Sequence, residues 1–97
     1  MLHTVNKSPF QNTTLESCIR FTRPGDVILL IEDGVLAAQA DTSKSDMLSQ
    51  AMATAEVYAL QADLQARALT ELVPGVKVTD YEGFVELVEK HSTHAWL

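Results

Sequence analysis

Several kinds of chemistry are missing from this sequence of 97 residues. Cysteine occurs once, at Cys18, which excludes an intramolecular disulfide and a four-thiolate zinc site. The longest unbroken aliphatic run, Val27 to Ile31, is far too short to cross a bilayer, so no membrane association is expected. Basic residues are scarce. Seven Lys and Arg stand against thirteen Asp and Glu, a net charge of −6. Residues 1–48 carry four bases and six acids, and residues 49–97 carry three and seven. Neither half has the basic stripe that displaces counterions from nucleic-acid phosphates, nor one that grips anionic lipid. No G-x-G-x-x-G, G-x-x-x-x-G-K-[ST] or G-x-S-x-G pattern occurs, leaving nucleotide binding and nucleophile-elbow chemistry without a motif. The stretch Met1 to Lys7 lacks the basic start and apolar run of a secretory signal, and the expected location is the cytoplasm, where a lone thiol stays reduced.

What is present is the composition of a globular protein, 46% hydrophobic and 21% charged, with no linker or repeat to divide it. One domain over residues 1–97 is expected. Short apolar strands alternate with amphipathic helices. Leu2–Val5 reads as a first strand. Thr13 and Glu16 form a capping-box pattern ahead of a helix whose inward stripe is Leu15, Cys18, Ile19 and Thr22. Val27 to Ile31, apolar throughout and rich in β-branched residues, reads as a strand buried on both faces. A helical stretch follows, interrupted near Asp41 to Ser43 and resumed with Met47, Leu48, Ala51 and Met52 on one side. Glu56–Leu60 reads as the third strand, residues 62–68 as a helix and Val76–Val78 as the fourth strand. Thr79 and Glu82 repeat the capping-box pattern before a last helix striped by Tyr81, Phe84, Val85 and Val88. The Trp96-Leu97 tail is expected to dock on its own sheet or on a partner.

This alternation predicts an α/β fold, a three-layer α/β/α sandwich around a mainly parallel sheet of four or five strands with right-handed crossovers. Ligands of such sheets bind beyond the carboxyl ends of the strands, which directs attention to the loops after Val5, Ile31, Leu60 and Val78. Glu32-Asp33-Gly34 lies there. Paired acids at that position suit Mg²⁺, but the first strand supplies Asn6-Lys7 rather than further acids, so a turn with Asp33 as helix cap and Gly34 relieving backbone strain is favoured. His91 and His94 have a spacing that can share a metal on a helix, yet nothing places a third ligand. A solvated pair at a helix end is favoured and no metal site is expected. His3 reads as a half-buried strand imidazole. Cys18 is the candidate nucleophile. It lies past the first helical turn, where the helix dipole does little for a thiolate, and its stripe predicts partial burial as a small hydrophobe.

Specific stretches carry a resemblance. Leu2-His3-Thr4-Val5-Asn6-Lys7-Ser8-Pro9-Phe10, Glu32-Asp33-Gly34-Val35, Asp80-Tyr81-x-x-Phe84-Val85 and Ala95-Trp96-Leu97 closely resemble the DsrH/TusB family, in the same order and over essentially the whole chain. The resemblance implies a subunit of a cytoplasmic sulfur-relay complex, accessory rather than catalytic alone and without a cofactor. Its implied partners are DsrE/TusD-like and DsrF/TusC-like subunits, two copies of each in a heterohexamer, and a DsrC/TusE-type sulfur acceptor. The sulfur serves tRNA 2-thiouridine in one branch and sulfur oxidation in the other, with no direct nucleic-acid contact by this subunit. The principal sulfur-carrying cysteine of the family lies on the DsrE/TusD-type subunit. Cys18 matches a first-helix cysteine of many DsrH-side members. It stands either as an accessory persulfide carrier or as core filler in a structural subunit that completes the hexamer.

Overall fold

The computed structural model describes residues 1–97. Its elements in chain order are β1 (Leu2–Val5), α1 (Thr14–Phe21), β2 (Val27–Leu30), a 3₁₀ helix (Glu32–Ala38), α2 (Ser45–Ala51), β3 (Glu56–Leu60), α3 (Gln61–Ala66), β4 (Lys77–Thr79), α4 (Tyr81–Lys90) and β5 (Thr93–Trp96). The five strands form one sheet in the order β4-β3-β2-β1-β5, and every neighbouring pair is parallel. The expected α/β fold is therefore found, with the sheet wholly parallel.

Crossover handedness explains the layers. The first three connections carry the chain from β1 outward to β4, so α1, the 3₁₀ helix, α2 and α3 fall on one face. The fourth returns past β3, β2 and β1 to pair β5 with β1, and the same handedness places α4 on the opposite face. The two faces are unequally filled. Under the first, Val5, Ile28, Leu30, Val57 and Ala59 pack with Leu15, Cys18, Val35, Leu48 and Leu64 in a cluster of 13 buried residues. Under the second, Leu2, Val27 and Leu29 meet only Phe84 and Leu87 of α4, with Ile31 and Tyr58 at the margin. Every residue of β2 is buried, as its apolar run predicts. Each of Ile28, Leu29 and Leu30 contributes about 1.5–3 kcal/mol by leaving water.

Local signals were less faithful. Thr13 makes no side-chain cap; the Asn12 carboxamide oxygen accepts from the Thr14 backbone N–H instead (2.9 Å) and also pairs with the Thr14 hydroxyl. At α4 the cap is Asp80, not Thr79. Its Oδ1 accepts from Gly83 N–H at 2.9 Å, because the extended backbone that Ncap geometry requires falls at Asp80. Only Phe84 and Leu87 of α4 face the sheet; Tyr81, Val85 and Val88, expected on its buried stripe, are exposed. The segment after β2 opens as a 3₁₀ helix with no side-chain cap, so Asp33 does not cap it. Gly34 is required for proximity rather than for strain relief. A Cβ there would stand 2.1 Å from the Val5 carbonyl oxygen, while the left-handed residue of the turn is Glu32, at φ 49°.

Candidate functional site

Cys18 lies in the middle of α1, completely buried. Full burial exceeds the partial burial expected from the stripe, because α1 packs its Leu15-Cys18 side directly onto the filled face of the sheet. The Thr22 hydroxyl donates to the Cys18 carbonyl (2.8 Å), and its oxygen lies 4.0 Å from the Cys18 sulfur. Burial pushes the thiol from 9.0 up to about 11; the Thr22 contact opposes this and the nearby Asp26 charge adds to it. No cation relieves the burden, since Arg20 pairs outward with Glu16 at 3.5 Å. A thiolate is the nucleophile in sulfur chemistry, and this environment withholds it.

The largest concavity, about 810 Å³, lies elsewhere than expected. It opens at the amino-terminal end of β1 and β2 rather than beyond the carboxyl ends of the strands. Met1 and His3 of the β1 segment, Phe21 and Arg23 from the end of α1, Asp26 ahead of β2, and His94 and Trp96 of β5 line it. Behind these walls runs a chain of hydrogen bonds. The Trp96 indole N–H donates to His3 Nδ1 (3.0 Å), and His3 Nε2 lies 3.0 Å from Asp26 Oδ2. An indole can only donate, so Nδ1 is the accepting nitrogen, and Nε2–H donates to Asp26. Both ring nitrogens of His3, which is only 3% exposed, are thereby committed, and the imidazole is a structural link rather than a free base. Asp26 also accepts from the Arg23 backbone N–H (3.0 Å) and meets the Met1 amino group (3.0 Å). The Arg23 amide above all, then His3, and then the Met1 amino group hold its carboxyl well below the usual carboxylate range, against the opposing cost of burial. The Trp96 ring rests 5.7 Å from Phe21 and 4.9 Å, edge-on, from His94.

Trp96 thus docks on its own sheet, one of the two alternatives left open for the tail. His94 sits in β5 and His91 at the end of α4, so the two histidines do not share a helix face. At the carboxyl ends of the strands, Arg67 of the α3 terminus binds Asp33 through Nη2 (2.9 Å) and Nε (3.1 Å). The Glu32 backbone N–H donates to Asp63 (2.8 Å). Asp33 is thereby charge-paired, and the chain arranges no group of three or more His, Cys, Asp or Glu side chains fit to hold a metal. The Asn6 carboxamide oxygen is buried there without a partner. Sequence reasoning missed Asp26 and Phe21. The only signal was an acid placed directly before the most apolar strand, and nothing local tied it to residues 3 and 96.

The family described as "DsrH like protein" matches residues 7–94. Protein TusB of Serratia proteamaculans is 43% identical over 99% of this chain and 100% of its own length. Protein TusB of Shigella flexneri is 40% identical over the same shares of the two chains. Among solved structures, the ychN protein of Escherichia coli superposes with a TM-score of 0.82 at 15% identity, over 95% of this chain and 94% of that one. Protein Tm0979 of Thermotoga maritima does so with a TM-score of 0.65 at 26% identity, over 94% of each chain.

Proposed function

The chain belongs to the DsrH/TusB family, and from that premise we propose that it is a subunit of a sulfur-relay complex serving 2-thiolation of the tRNA wobble uridine. The observation that carries this reading is the end-to-end similarity to relatives named TusB, at 36–43% identity. It favours the thiolation branch over sulfur oxidation. In this reading the chain assembles in the cytoplasm with DsrE/TusD-like and DsrF/TusC-like subunits in a heterohexamer, which hands sulfur to a DsrC/TusE-type acceptor. At each handover an acceptor thiolate attacks the outer sulfur of a persulfide. A new S–S bond forms, the old one breaks, and the donor leaves as thiolate.

Within that complex we assign Cys18 to the core rather than to the relay. Its complete burial and raised pKa support this assignment, which makes the subunit a structural and docking component and leaves the carrier cysteine to the DsrE/TusD-type partner. A net charge of −6 supports a position upstream of the tRNA-binding enzyme. Deleting the gene and measuring 2-thiouridine in total tRNA tests the reading. Thiolation should fall, and both the natural chain and Cys18→Ala should restore it. Unchanged thiolation in the deletion overturns the relay assignment; loss of thiolation in an assembled Cys18→Ala complex returns the cysteine to the relay.

A further inference from the structure

β5 joins the sheet from the opposite layer, and its arrival leaves a hollow. The register pairs His3 with His94 and Val5 with Trp96, and Val5 packs with Leu15 and Cys18 of α1. Side chains alternate along a strand, so His94 and Trp96 share the face that α1 covers. The helices of that face follow β1, β2 and β3, whereas β5 comes in from α4 on the other face. No helix of its own lies over this side of β5, and the concavity of about 810 Å³ fills the space between the strand and the end of α1. That volume falls in the range of small-molecule sites, about 300–1,000 Å³.

The walls decide what fits. Phe21, 68% exposed, and Trp96 already meet with ring centroids 5.7 Å apart, so they present one continuous aromatic surface rather than a slot. His94 stands edge-on to it at 4.9 Å. A flat ring laid on such a surface gains both stacking and burial. The polar groups set the sign of the charge. Asp26 is fully engaged: its two oxygens meet the Met1 amino group, His3 Nε2 and the Arg23 backbone N–H, each at 3.0 Å. The Trp96 indole N–H is committed to His3. The Arg23 guanidinium makes no hydrogen bond or ion pair within the chain, whereas Arg20 and Arg67 are paired. With the Asp26 charge balanced by the Met1 amino group, Arg23 leaves the hollow net positive in a chain of net charge −6. A cationic guest would be repelled there. A guanidinium can only donate, and its fork matches a carboxylate.

We propose that this hollow binds a small aromatic carboxylate, its ring flat on Phe21 and Trp96 and its carboxylate on Arg23. The Trp96–His3–Asp26 hydrogen bonds hold the aromatic wall in place before the ligand arrives, which spares the cost of ordering it on binding. Charge disfavours a second copy of the chain as the occupant, because a two-fold contact centred here sets two positive hollows face to face. The site stands independently of the sulfur-relay reading.

The test is an NMR titration of the full chain, with no residues added at either end, against three probes. These are 1-naphthylacetate, its neutral amide 1-naphthylacetamide, and acetate. Trp96 is the single tryptophan, so its indole N–H gives one unambiguous signal in the wall of the site. Naphthylacetate should move that signal and the backbone amides of Arg23 and His94, saturating with a dissociation constant of about 1 mM or below. The amide and acetate should each bind about tenfold more weakly. Arg23→Gln, at an exposed position the fold does not need, should weaken naphthylacetate about tenfold, and Phe21→Ser about threefold or more. No saturable shift by about 10 mM, equal binding of acid and amide, or unchanged binding by Arg23→Gln overturns the inference. So does a shift of the same signals with the concentration of the chain alone, which makes the occupant a second copy. Loss of naphthylacetate binding when the chain is assembled with its partner subunits assigns the hollow to a protein contact and overturns it as well.

Discussion

The burial of Cys18 sets a reactivity that can be measured. At about pH 8 a thiol of pKa 9.0 is about one-tenth thiolate, and one raised to about 11 is about one-thousandth thiolate, so deprotonation alone slows attack about 100-fold. Closure of the helix over the sulfur adds to this, because a reagent reaches a fully buried atom only through local opening. Iodoacetamide labelling followed by intact mass, in native buffer and in urea, compares the folded and unfolded thiol directly. The folded chain should label at least about 100-fold more slowly. Its rate should keep rising with pH past 9 rather than levelling there, since the folded thiol titrates near 11. Repeating the labelling in the assembled complex extends the comparison to the state in which sulfur moves. Labelling of the folded chain within about threefold of the unfolded rate would refute the reasoning, because it would require either an open sulfur or an ordinary thiol pKa.

The hydrogen-bond chain behind the cavity makes two further predictions. Trp96→Phe keeps an aromatic ring beside Phe21 and removes the indole N–H, leaving His3 Nδ1 a buried acceptor without a donor. The expected cost is about 1–3 kcal/mol, read as a drop in melting temperature of roughly 4–8 °C per kcal/mol; an unchanged melting curve would show that the bond is immaterial. The second concerns acid. Asp26 binds its proton less readily in the folded chain than in the unfolded one, so its contribution is complete above the unfolded carboxylate range near pH 4 and is lost as the pH falls below it. Urea midpoints measured from about pH 6 down to about pH 2 should fall more steeply for the natural chain than for Asp26→Asn. Parallel curves would remove Asp26 from the acid response.

The sequence by itself determined the alternation of strands and helices and hence the parallel sheet. β2 was legible because five successive aliphatic residues have no partner but a sheet covered on both faces. β3 was legible at both of its ends, whereas β4 begins and ends one residue later than the stretch Val76-Lys77-Val78 suggests. The family was legible from a few separated stretches taken together. Helix caps were not, because Thr13, Thr79 and Asp80 are all chemically competent and backbone geometry chooses among them. Nor could the pattern of α4 say which of its apolar residues meet the sheet, since only packing against Leu2, Val27 and Leu29 selects Phe84 and Leu87. The carboxyl-end rule pointed away from the largest concavity. The concavity arises where β5 returns to the outside of β1 and brings Trp96 onto His3, 93 residues away. That meeting is a product of topology. A right-handed return across the sheet is what places an indole, an imidazole and the carboxylate of Asp26 in line, and no local pattern encodes it.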